Sequence, residues 1–517
     1  MKTVQKWLAL FGLIIICHTA IAAGKASHVV LIVWDGMRPD FVSAENTPTL
    51  FAAAQNGVTF LQHHPVYISS TEVNGTALAT GVYPGQSTII ANDEYRPAID
   101  PLAPFETQWL ANIRKGDKIW DNHYLAFPTV SEILHTSNLI TAIAGAKPVA
   151  ALHDRTARPE NSPNVVLFAG RTLPEQWQNK LTTALGSFPL AGPTKTNIDE
   201  WTTSALTGSL WSKGVPSFSL LWLAEPDWSQ HRDGPGAPNP LLAIQDDDRC
   251  LASVLQTLKE KNALDSTDVI LVSDHGFSTV TQAIDVGDAL KTNGFNTFHK
   301  FPSSGAKPGD IMIVSLGGAS LCYVTGHDQQ EMERAVHVLQ AQPFTGVIFT
   351  RTPVAGAFAL ADARLESPYA PDIVVAMRWT DAKSQYGVPG MIFLDGGAFA
   401  TSKGSHGSLC PTEMHNTCLA FGPDFKPGLR DSLPTGNIDI APTILWILGV
   451  PPPHAMSGRV LTEALTGGGP APEASAPLHQ VASWRGTNFV WRQYLDISTV
   501  NGVAYFDQGN GSQDPAQ

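Results

Sequence analysis

HVVLIVWDG, residues 28–36, decides the fold class of this chain. The apolar run from Val29 to Trp34 contains no polar residue, and Asp35 follows it at once. A continuous run of this length, rich in β-branched side chains, is typical of a strand buried on both faces, as in a parallel sheet. Two more runs have the same form, Phe218–Leu223 and Val269–Val272. We therefore predict three buried strands.

Helical patterns alternate with these runs. Residues 240–262 have helical periodicity and lead into the third run, and residues 437–448 form a second helix that Gly449 ends. Alternating strands and helices predict an α/β fold with a largely parallel central sheet flanked by helices. Residues 277–400 carry strand and helix patterns of their own, so we expect a smaller subdomain inserted there.

Both ends of the chain differ from this main part. Residues 1–22 have a basic start, a short apolar run and a small-residue cleavage site, which predicts a signal peptide and export to the periplasm or the cell exterior. The main domain is expected at 25–465, with a Pro- and Gly-rich linker at 466–476. Residues 477–517 predict a tail with a hairpin around Asn501-Gly502. The apolar run within residues 1–22 is too short to cross a membrane, and no second run is long enough.

Charge and cysteine content limit the classes of partner. The formal net charge of −13 disfavours duplex nucleic acid and anionic membranes, which require a basic surface. It leaves room for a small anionic substrate if a metal reverses the local field. Cys410 and Cys418 close a short loop, so they form either a disulfide or buried free thiols.

Acidic and imidazole side chains follow each of the three predicted strands, and a further histidine lies in a Gly-Ser-His-Gly turn. In a parallel sheet the carboxyl ends of the strands share one edge, where ligands bind. Six ligands of the Asp and His type suit two divalent ions, most readily Zn²⁺, rather than one tetrahedral ion. Two such ions about 4 Å apart are used for displacement at phosphorus. The candidate ligands are Asp35, Asp227, His231, Asp274, His275 and His406.

A nucleophile is expected among three hydroxyls, Ser69, Ser70 and Thr71, which precede a helix predicted to run through Ala79. A helix N-terminus favours anions, and a metal could activate a hydroxyl placed there. From this segment alone, simple helix caps are the preferred interpretation, and the residues do not select one hydroxyl.

Taken together, these motifs resemble the alkaline phosphatase superfamily, and in particular its nucleotide pyrophosphatase/phosphodiesterase-like members. The resemblance covers about residues 28–465, and order and spacing agree throughout. The matching residues are Asp35-Gly36, Thr71 with Asn74, Thr80-Gly81 with Pro84, Asn92, Glu225-Pro226-Asp227 with His231, Asp274-His275-Gly276, Gly404-Ser405-His406-Gly407, Asp439-Ile440-Ala441-Pro442-Thr443 and Gly458-Arg459-Val460.

The resemblance implies a catalytic role for each matched residue. One metal would bind Asp227, His231 and His406, and the other would bind Asp35, Asp274, His275 and the oxygen of Thr71. Thr71 would be the nucleophile and would form a phosphothreonine that water hydrolyses. Asn92 would hydrogen-bond a nonbridging phosphoryl oxygen. The substrate implied is a small phosphate ester.

The kind of ester depends on His153 and Arg155. Threonine-nucleophile alkaline phosphatases of this family carry Lys-Asp-Arg at a similar place, and this chain has His153-Asp154-Arg155. The Trp-Pro-Gly element of the diesterase branch is absent. A guanidinium can bind two oxygens of a dianionic monoester, which favours a phosphomonoesterase slightly over a phosphodiesterase or nucleotide pyrophosphatase. The alternative for Arg155 is an ion pair with a neighbouring carboxylate.

Other classes fit the sequence less well. A sulfatase of this superfamily requires a C/S-x-P-x-R motif, and a serine hydrolase usually has a G-x-S-x-G turn; neither is present. An exported protein that binds metal or phosphate without catalysis is the remaining alternative. The complete set of ligands argues against it.

Overall fold

The computed structural model describes residues 24–397 and 400–516, so the expected signal peptide lies outside the described residues. The strands in chain order are β1 (His28–Trp34), β2 (Val58–His64), β3 (Asp93–Glu94), β4 (Phe105–Glu106), β5 (Thr141–Gly145), β6 (Val165–Phe168), β7 (Arg171–Leu173), β8 (Phe218–Leu223), β9 (Thr267–Val272), β10 (Ser278–Ile284), β11 (Thr297–Phe298), β12 (Ile311–Ser315), β13 (Ala319–Val324), β14 (Thr345–Thr350), β15 (Phe358–Ala359), β16 (Ile373–Met377), β17 (Trp379–Lys383), β18 (Pro389–Asp395), β19 (Gly404–Ser405), β20 (Cys418–Phe421), β21 (Leu429–Gly436), β22 (Leu478–Arg485), β23 (Phe489–Val500) and β24 (Val503–Pro515).

The α-helices are α1 (Pro48–Ala54), α2 (Thr71–Thr80), α3 (Pro84–Ser87), α4 (Leu110–Ile119), α5 (Val130–Thr136), α6 (Ala150–His153), α7 (Trp177–Leu185), α8 (Thr196–Ser204), α9 (Asp227–Asp233), α10 (Pro238–Glu260), α11 (Val286–Thr292), α12 (Gln329–Gln340), α13 (Pro411–Met414) and α14 (Asn437–Ile447). The helices expected near 71–79, 240–262 and 437–448 are therefore present as α2, α10 and α14.

The central sheet has the strand order β21-β2-β20-β9-β1-β8-β5-β6-β7. The three strands expected from the sequence, β9, β1 and β8, are adjacent and parallel. Strand β20 is antiparallel to both β9 and β2, and β7 is antiparallel to β6. The expectation of an α/β fold with a largely parallel sheet is confirmed.

Helices cover both faces of this sheet. In β1, Val29, Leu31 and Val33 pack into one apolar cluster, which also contains residues of α5 and α14. The alternate residues, Val30 and Ile32 among them, pack into a second cluster with residues of α10. This two-sided burial explains why the run in β1 shows no polar alternation.

Besides the central sheet, the described chain has four smaller sheets, of six, four, three and two strands, the last formed by β3 and β4. Six strands in the order β11-β12-β13-β16-β14-β15 lie in the region expected as an insertion, and β17-β18-β10-β19 form a four-stranded sheet beside them. The tail forms the three-stranded sheet β22-β23-β24, which is larger than the hairpin expected. Its β23–β24 turn lies at Asn501-Gly502, where φ is 50° and 82°. Such positive values are those of a type I′ hairpin turn.

All four cysteines in the described ranges are buried free thiols, so the disulfide considered for Cys410 and Cys418 is not formed. Cys410 caps α13, and Cys418 lies within β20 of the central sheet. Within residues 24–397 and 400–516, no helix combines the length and apolar character required to cross a membrane.

Candidate active site

Three acidic loops meet at the carboxyl edge of the central sheet. Because β1 pairs with both β8 and β9, the loops after the three strands begin side by side. The backbone ties them together: the N–H of Asp227 donates to the carbonyl of Asp35 at 3.0 Å, and the N–H of Gly36 donates to Oδ1 of Asp274 at 3.0 Å. The sequence therefore places these carboxylates together as expected from strand order.

His406 is brought to the same edge of the sheet by a pairing between two strands outside the central sheet. Strand β10 follows His275 almost directly, and β19, which precedes His406, pairs with β10 in antiparallel register. As a result the rings of His275 and His406 stack with centroids 3.6 Å apart. A pairing of two short strands, separated by more than a hundred residues of chain, brings the last expected ligand to the site.

All three histidines point the same nitrogen towards the protein backbone. Nδ1 of His231, His275 and His406 lies 3.0, 2.8 and 2.8 Å from the carbonyls of Gly404, Gly276 and Ser69. A carbonyl only accepts, so each Nδ1 carries the hydrogen and each Nε2 presents a lone pair. Backbone contacts of this kind are the usual means by which metal-binding histidines are oriented.

The ligand atoms form two compact groups that share one aspartate. Atoms of Asp227, His231 and His406 lie within 4.8 Å of one another, as do atoms of Asp35, Asp227 and His275. Asp274 adjoins the second group, since its Oδ2 is 3.3 Å from Nε2 of His275.

Three carboxylate oxygens in these groups are buried without a hydrogen-bond partner in the described chain: Asp35 Oδ1, Asp227 Oδ1 and Asp274 Oδ2. Burying an ionised carboxylate without compensation is costly, and a bound cation provides that compensation. The residues present therefore fit two divalent cations.

Burial and charge set the titration of the site. Desolvation raises the pKa of Asp35 well above its usual range and that of Asp274 to about 7. Desolvation would also raise the pKa of Asp227, but Lys147 and His231 lower it well below the usual value. Burial lowers the pKa of His275 and His406 to about 3, so both imidazoles are neutral and available as ligands.

Thr71 is the first residue of α2, and its Oγ1 lies 3.3 Å from Nε2 of His275. The two neighbouring hydroxyls have other surroundings. Ser69 donates to the carbonyl of Ser408 at 3.0 Å and accepts from the N–H of Gly407 at 3.1 Å. Ser70 is the residue before the helix, and its Oγ is buried without a partner in the described chain. Among the three hydroxyls in the described chain, that of Thr71 lies within hydrogen-bond distance of a candidate ligand.

Asn74 holds the backbone segment that leads into this helix. Its Oδ1 accepts from the N–H of Val66 at 2.8 Å, and its Nδ2 donates to the carbonyls of Val66, Ile68 and Ser70 at 3.2, 3.3 and 3.2 Å. The Thr-x-x-Asn spacing thus has a physical reason. One helical turn below Thr71, the amide of Asn74 ties down the backbone that delivers the hydroxyl.

Asn92 lies beside the same helix end. Its Oδ1 accepts a hydrogen bond from the N–H of Glu72, the residue after Thr71, at 3.0 Å. The side chain is half-buried. This contact holds the amide of Asn92 beside the start of α2, and the phosphoryl hydrogen bond that the resemblance implies for it stays a prediction.

Lys147 lies in the candidate active site but was not among the site residues predicted from the sequence. It follows β5, the strand next to β8, and its Nζ lies 2.9 Å from Oδ2 of Asp35 and 2.7 Å from Oδ2 of Asp227. Burial would lower the pKa of Lys147, but the two aspartates raise it, so it carries a positive charge. The residues 141–147 (TAIAGAK) show the same form as the other three strands, a short apolar run followed by a charged residue, and that pattern could have revealed it.

His153 and Arg155 were predicted to bind the phosphate, and in the described chain both side chains contact residues other than the candidate metal ligands. The Arg155 guanidinium contacts Asp117 at 3.2 Å and Glu132 at 3.0 Å, so it forms a local ion-pair network. His153 is buried against the ring of Trp222, 5.8 Å between centroids, and burial lowers its pKa to about 3. A neutral, enclosed imidazole and a guanidinium already paired with two carboxylates are poor phosphate ligands.

The last motifs of the resemblance hold the helix α14 in place. Asp439 accepts from the N–H of Gly436 at 2.8 Å and from the N–H of Arg459 at 2.8 Å, so it caps the helix and ties it to the 458–460 segment. Arg459 in turn contacts Glu463 at 2.7 Å and the hydroxyl of Tyr505 at 3.1 Å. These contacts fix the start of α14 to the 458–463 segment and to the tail sheet.

Comparisons with known proteins agree with this geometry. The chain is 22% identical over 440 residues to the bis(5'-adenosyl)-triphosphatase enpp4 of Mus musculus, which covers 84% of this chain and 80% of that protein. It is 21% identical over 441 residues to ectonucleotide pyrophosphatase/phosphodiesterase family member 7 of Homo sapiens, with 85% and 83% covered.

A solved structure shares the fold: murine ectonucleotide pyrophosphatase/phosphodiesterase 5, in an inactive form in complex with AMP. It superimposes with a TM-score of 0.59 at 17% identity, covering 85% of this chain and 100% of that one. The family model for type I phosphodiesterase / nucleotide pyrophosphatase matches residues 29–386. The chain therefore belongs to the type I phosphodiesterase / nucleotide pyrophosphatase family of metal-dependent phosphoric ester hydrolases.

Proposed function

We propose that this protein is a phosphodiesterase or nucleotide pyrophosphatase that acts through a phosphothreonine at Thr71. The observation that carries the proposal is the position of the Thr71 hydroxyl, at the start of α2 and 3.3 Å from Nε2 of His275. A nucleophile beside a compact group of metal ligands is the arrangement expected for displacement at phosphorus.

The grouping of the donor atoms supports one set of ligands for each of two cations. Asp227, His231 and His406 would hold one, and Asp35, Asp274 and His275 the other, with Zn²⁺ favoured by the mixture of carboxylate and imidazole donors. When bound, the two cations supply positive charge that neutralises phosphoryl oxygens and makes a nearby hydroxyl more acidic.

The protein's own groups position the reaction. Thr71 Oγ1 gives its proton to solvent and attacks phosphorus, a new O–P bond forms, and the bond from phosphorus to the leaving-group oxygen breaks. The leaving group departs with the electron pair of that bond and takes up a proton from solvent. Asn92 donates its amide to a nonbridging oxygen, and the free N–H groups at the start of α2 favour the negative charge there. Water then attacks the phosphothreonine, which releases the phosphoryl product and restores the hydroxyl.

Diester and pyrophosphate substrates are supported by two facts. The slight preference for monoesters depended on His153 and Arg155, and neither side chain contacts the described ligand groups. The similar proteins are named as a pyrophosphatase/phosphodiesterase or as a bis(5'-adenosyl)-triphosphatase. Nucleotide-type diesters are therefore the first substrates to test.

Phosphomonoester hydrolysis is a second candidate because of Lys147. A cation 2.7–2.9 Å from Asp35 and Asp227 adds positive charge to the proposed active site. A dianionic monoester gains more from such a charge than a monoanionic diester does.

One comparison separates the two candidates. The purified protein is stripped of metal, reloaded with Zn²⁺ and assayed for kcat/KM with nitrophenyl phosphate, bis-nitrophenyl phosphate and the nitrophenyl ester of thymidine monophosphate. We expect the nucleotide diester to be preferred by about tenfold or more, a difference of about 1.4 kcal/mol in transition-state stabilisation. A tenfold preference for the monoester would instead establish the second candidate, and no turnover of any of the three after reloading would refute both.

We also propose that the protein is exported. The amino-terminal residues 1–22 have the composition of a signal peptide, and the relatives include proteins named as ectonucleotide pyrophosphatases. Expression of the full chain, followed by fractionation and amino-terminal sequencing, tests this. We expect an exported form that begins after Ala22; a cytosolic form that retains Met1 would contradict it.

A further inference from the structure

A third group of metal-binding side chains lies outside the active site in the described chain: His64, His415 and Asp507. Their ligand atoms lie within 4.8 Å of one another. They come from three separate parts of the protein, namely the end of β2, the loop after α13 and strand β24 of the tail sheet. The chemistry proposed for the active site uses none of them.

His64 is oriented as a ligand. The ring is buried, and Nδ1 lies 2.9 Å from the carbonyl of Thr435, so Nδ1 carries the hydrogen. Nε2 therefore presents its lone pair, and it lies 3.0 Å from Oδ1 of Asp507. In this tautomer two acceptor atoms face each other, which a shared cation or a proton on Nε2 would stabilise.

Asp507 is held in place from its other side. Its Oδ2 accepts a hydrogen bond from the hydroxyl of Ser498, on the neighbouring strand β23, at 2.9 Å. Only Oδ1 faces His64, so the carboxylate is arranged to offer one oxygen. A hydrogen bond to the second oxygen is a common way to fix a metal-binding carboxylate.

His415 distinguishes a metal site from a simple ion pair. A pair of His64 and Asp507 would be complete without it, yet the ring of His415 lies against that of His64 with centroids 4.5 Å apart. Neither nitrogen of His415 has a hydrogen-bond partner among residues 24–397 and 400–516, although the side chain is half-buried. A third donor is thus present where a cation would require one.

We propose that His64, His415 and Asp507 bind a structural Zn²⁺ ion, with water as the fourth ligand. Two imidazoles and one carboxylate are a donor set that zinc prefers, and tetrahedral coordination at about 2.0–2.1 Å would place the donor atoms about 3.3–3.4 Å apart. The present spacing brackets that value, since His64 and Asp507 are 3.0 Å apart and the whole group lies within 4.8 Å. The half-buried positions of His415 and Asp507 leave room for the water. The ion fastens the tail sheet to the core, because Asp507 is in the tail and His64 is in the central sheet.

Counting zinc tests this proposal without any measurement of turnover. The full-length protein is stripped with a chelator, reloaded with excess Zn²⁺, desalted and analysed by mass spectrometry for zinc per chain. We expect about three zinc ions for the natural sequence and about two for Asp507→Asn and for His415→Gln. His415 is half-buried and makes no hydrogen bond to the described chain, so its variant keeps the experiment valid if the Asp507 variant folds poorly.

Asp496→Asn is the matched control. Asp496 lies in the same tail sheet and also pairs with a histidine, His479, at 2.6 Å, but the described residues place no third donor beside that pair. This variant should keep about three zinc ions. A count of two in the natural sequence, or an unchanged count in both the Asp507 and His415 variants, would overturn the proposal.

A second arm separates this site from the catalytic one. In Asp227→Asn/Asp274→Asn, which removes one carboxylate ligand from each of the two proposed catalytic metals, zinc should still raise the melting temperature, and adding Asp507→Asn should abolish that rise. If zinc does not shift the melting temperature of the double variant, the third site is refuted, whatever the outcome for catalysis.

Discussion

Lys147 contacts Asp227 with its ammonium group 2.7 Å from Oδ2, at the centre of the candidate active site. The same ammonium group is 2.9 Å from Asp35, so one cation joins the two groups of candidate metal ligands. Lys147 is largely buried, and three carboxylates converge here. Its positive charge therefore affects the stability of the folded protein.

Replacing Lys147 with Met is therefore expected to destabilise the metal-free protein. Asp35 and Asp227 would lose their buried partner, and breaking a buried ion pair costs about 3 kcal/mol. Bound zinc should remove most of this penalty, since it neutralises the same carboxylates. Urea denaturation in a chelator and in excess zinc measures both values. An equal loss of stability under the two conditions would show that Lys147 does not act through these carboxylates.

Thr71→Ala should abolish turnover while metal binding persists. Loss of a nucleophile lowers kcat by about 10³-fold or more, and the remaining ligands still form both groups. Thr71→Ser is the matched control and should retain measurable activity, because it keeps a hydroxyl. Unchanged turnover in Thr71→Ala, with the zinc content of the natural protein, would remove Thr71 from the mechanism.

Asn74→Ala should lower stability by about 3 kcal/mol, because it leaves several buried backbone groups unpaired. We also expect kcat to fall, since the segment that delivers Thr71 loses its anchor. Asn293→Ala is a suitable control: that side chain is exposed and donates only to a carbonyl of its own helix. Its effect should stay within about 0.5 kcal/mol. Thermal and urea denaturation with kcat for one substrate provide the comparison.

Glu413 should make stability depend on pH. Burial raises its pKa from 4.5 to about 7, while it accepts hydrogen bonds from the N–H and hydroxyl of Ser408. A carboxyl with a raised pKa in the folded state contributes most at low pH, and that contribution is lost as pH rises through about 7. Glu413→Gln does not titrate, so relative to the natural protein it should gain about 2–3 kcal/mol between pH 5 and pH 8.

Urea denaturation of both proteins at several pH values in this range measures the gain. Any constant cost of placing an amide beside the N–H of Ser408 cancels in the comparison, since only the change with pH is used. A stability difference that does not vary with pH would contradict the raised pKa.

The strand patterns in the sequence predicted most of the fold. The apolar runs at β1, β8 and β9 are buried on both faces, so nearly every position is apolar, and this pattern is readable without coordinates. Because parallel strands end at one edge, the ligands that follow them could be grouped in advance. The order of the motifs, from Asp35 to His406, then identified the family and selected Thr71.

Tertiary structure decided what local patterns do not encode. Lys147 became part of the site because β5 lies beside β8, an adjacency set by the packing of the whole sheet. The ion pairs of Arg155 have a related origin: Asp117 and Glu132, from two other helices, lie close enough to bind its guanidinium. His64, His415 and Asp507 are remote in sequence and follow no common motif, so only the docking of the tail sheet onto the core brings them together. The sequence alone determined the strands and the ligands at their ends, because burial and strand direction leave a local pattern. Partners that depend on how distant segments pack could be assigned only from the folded chain.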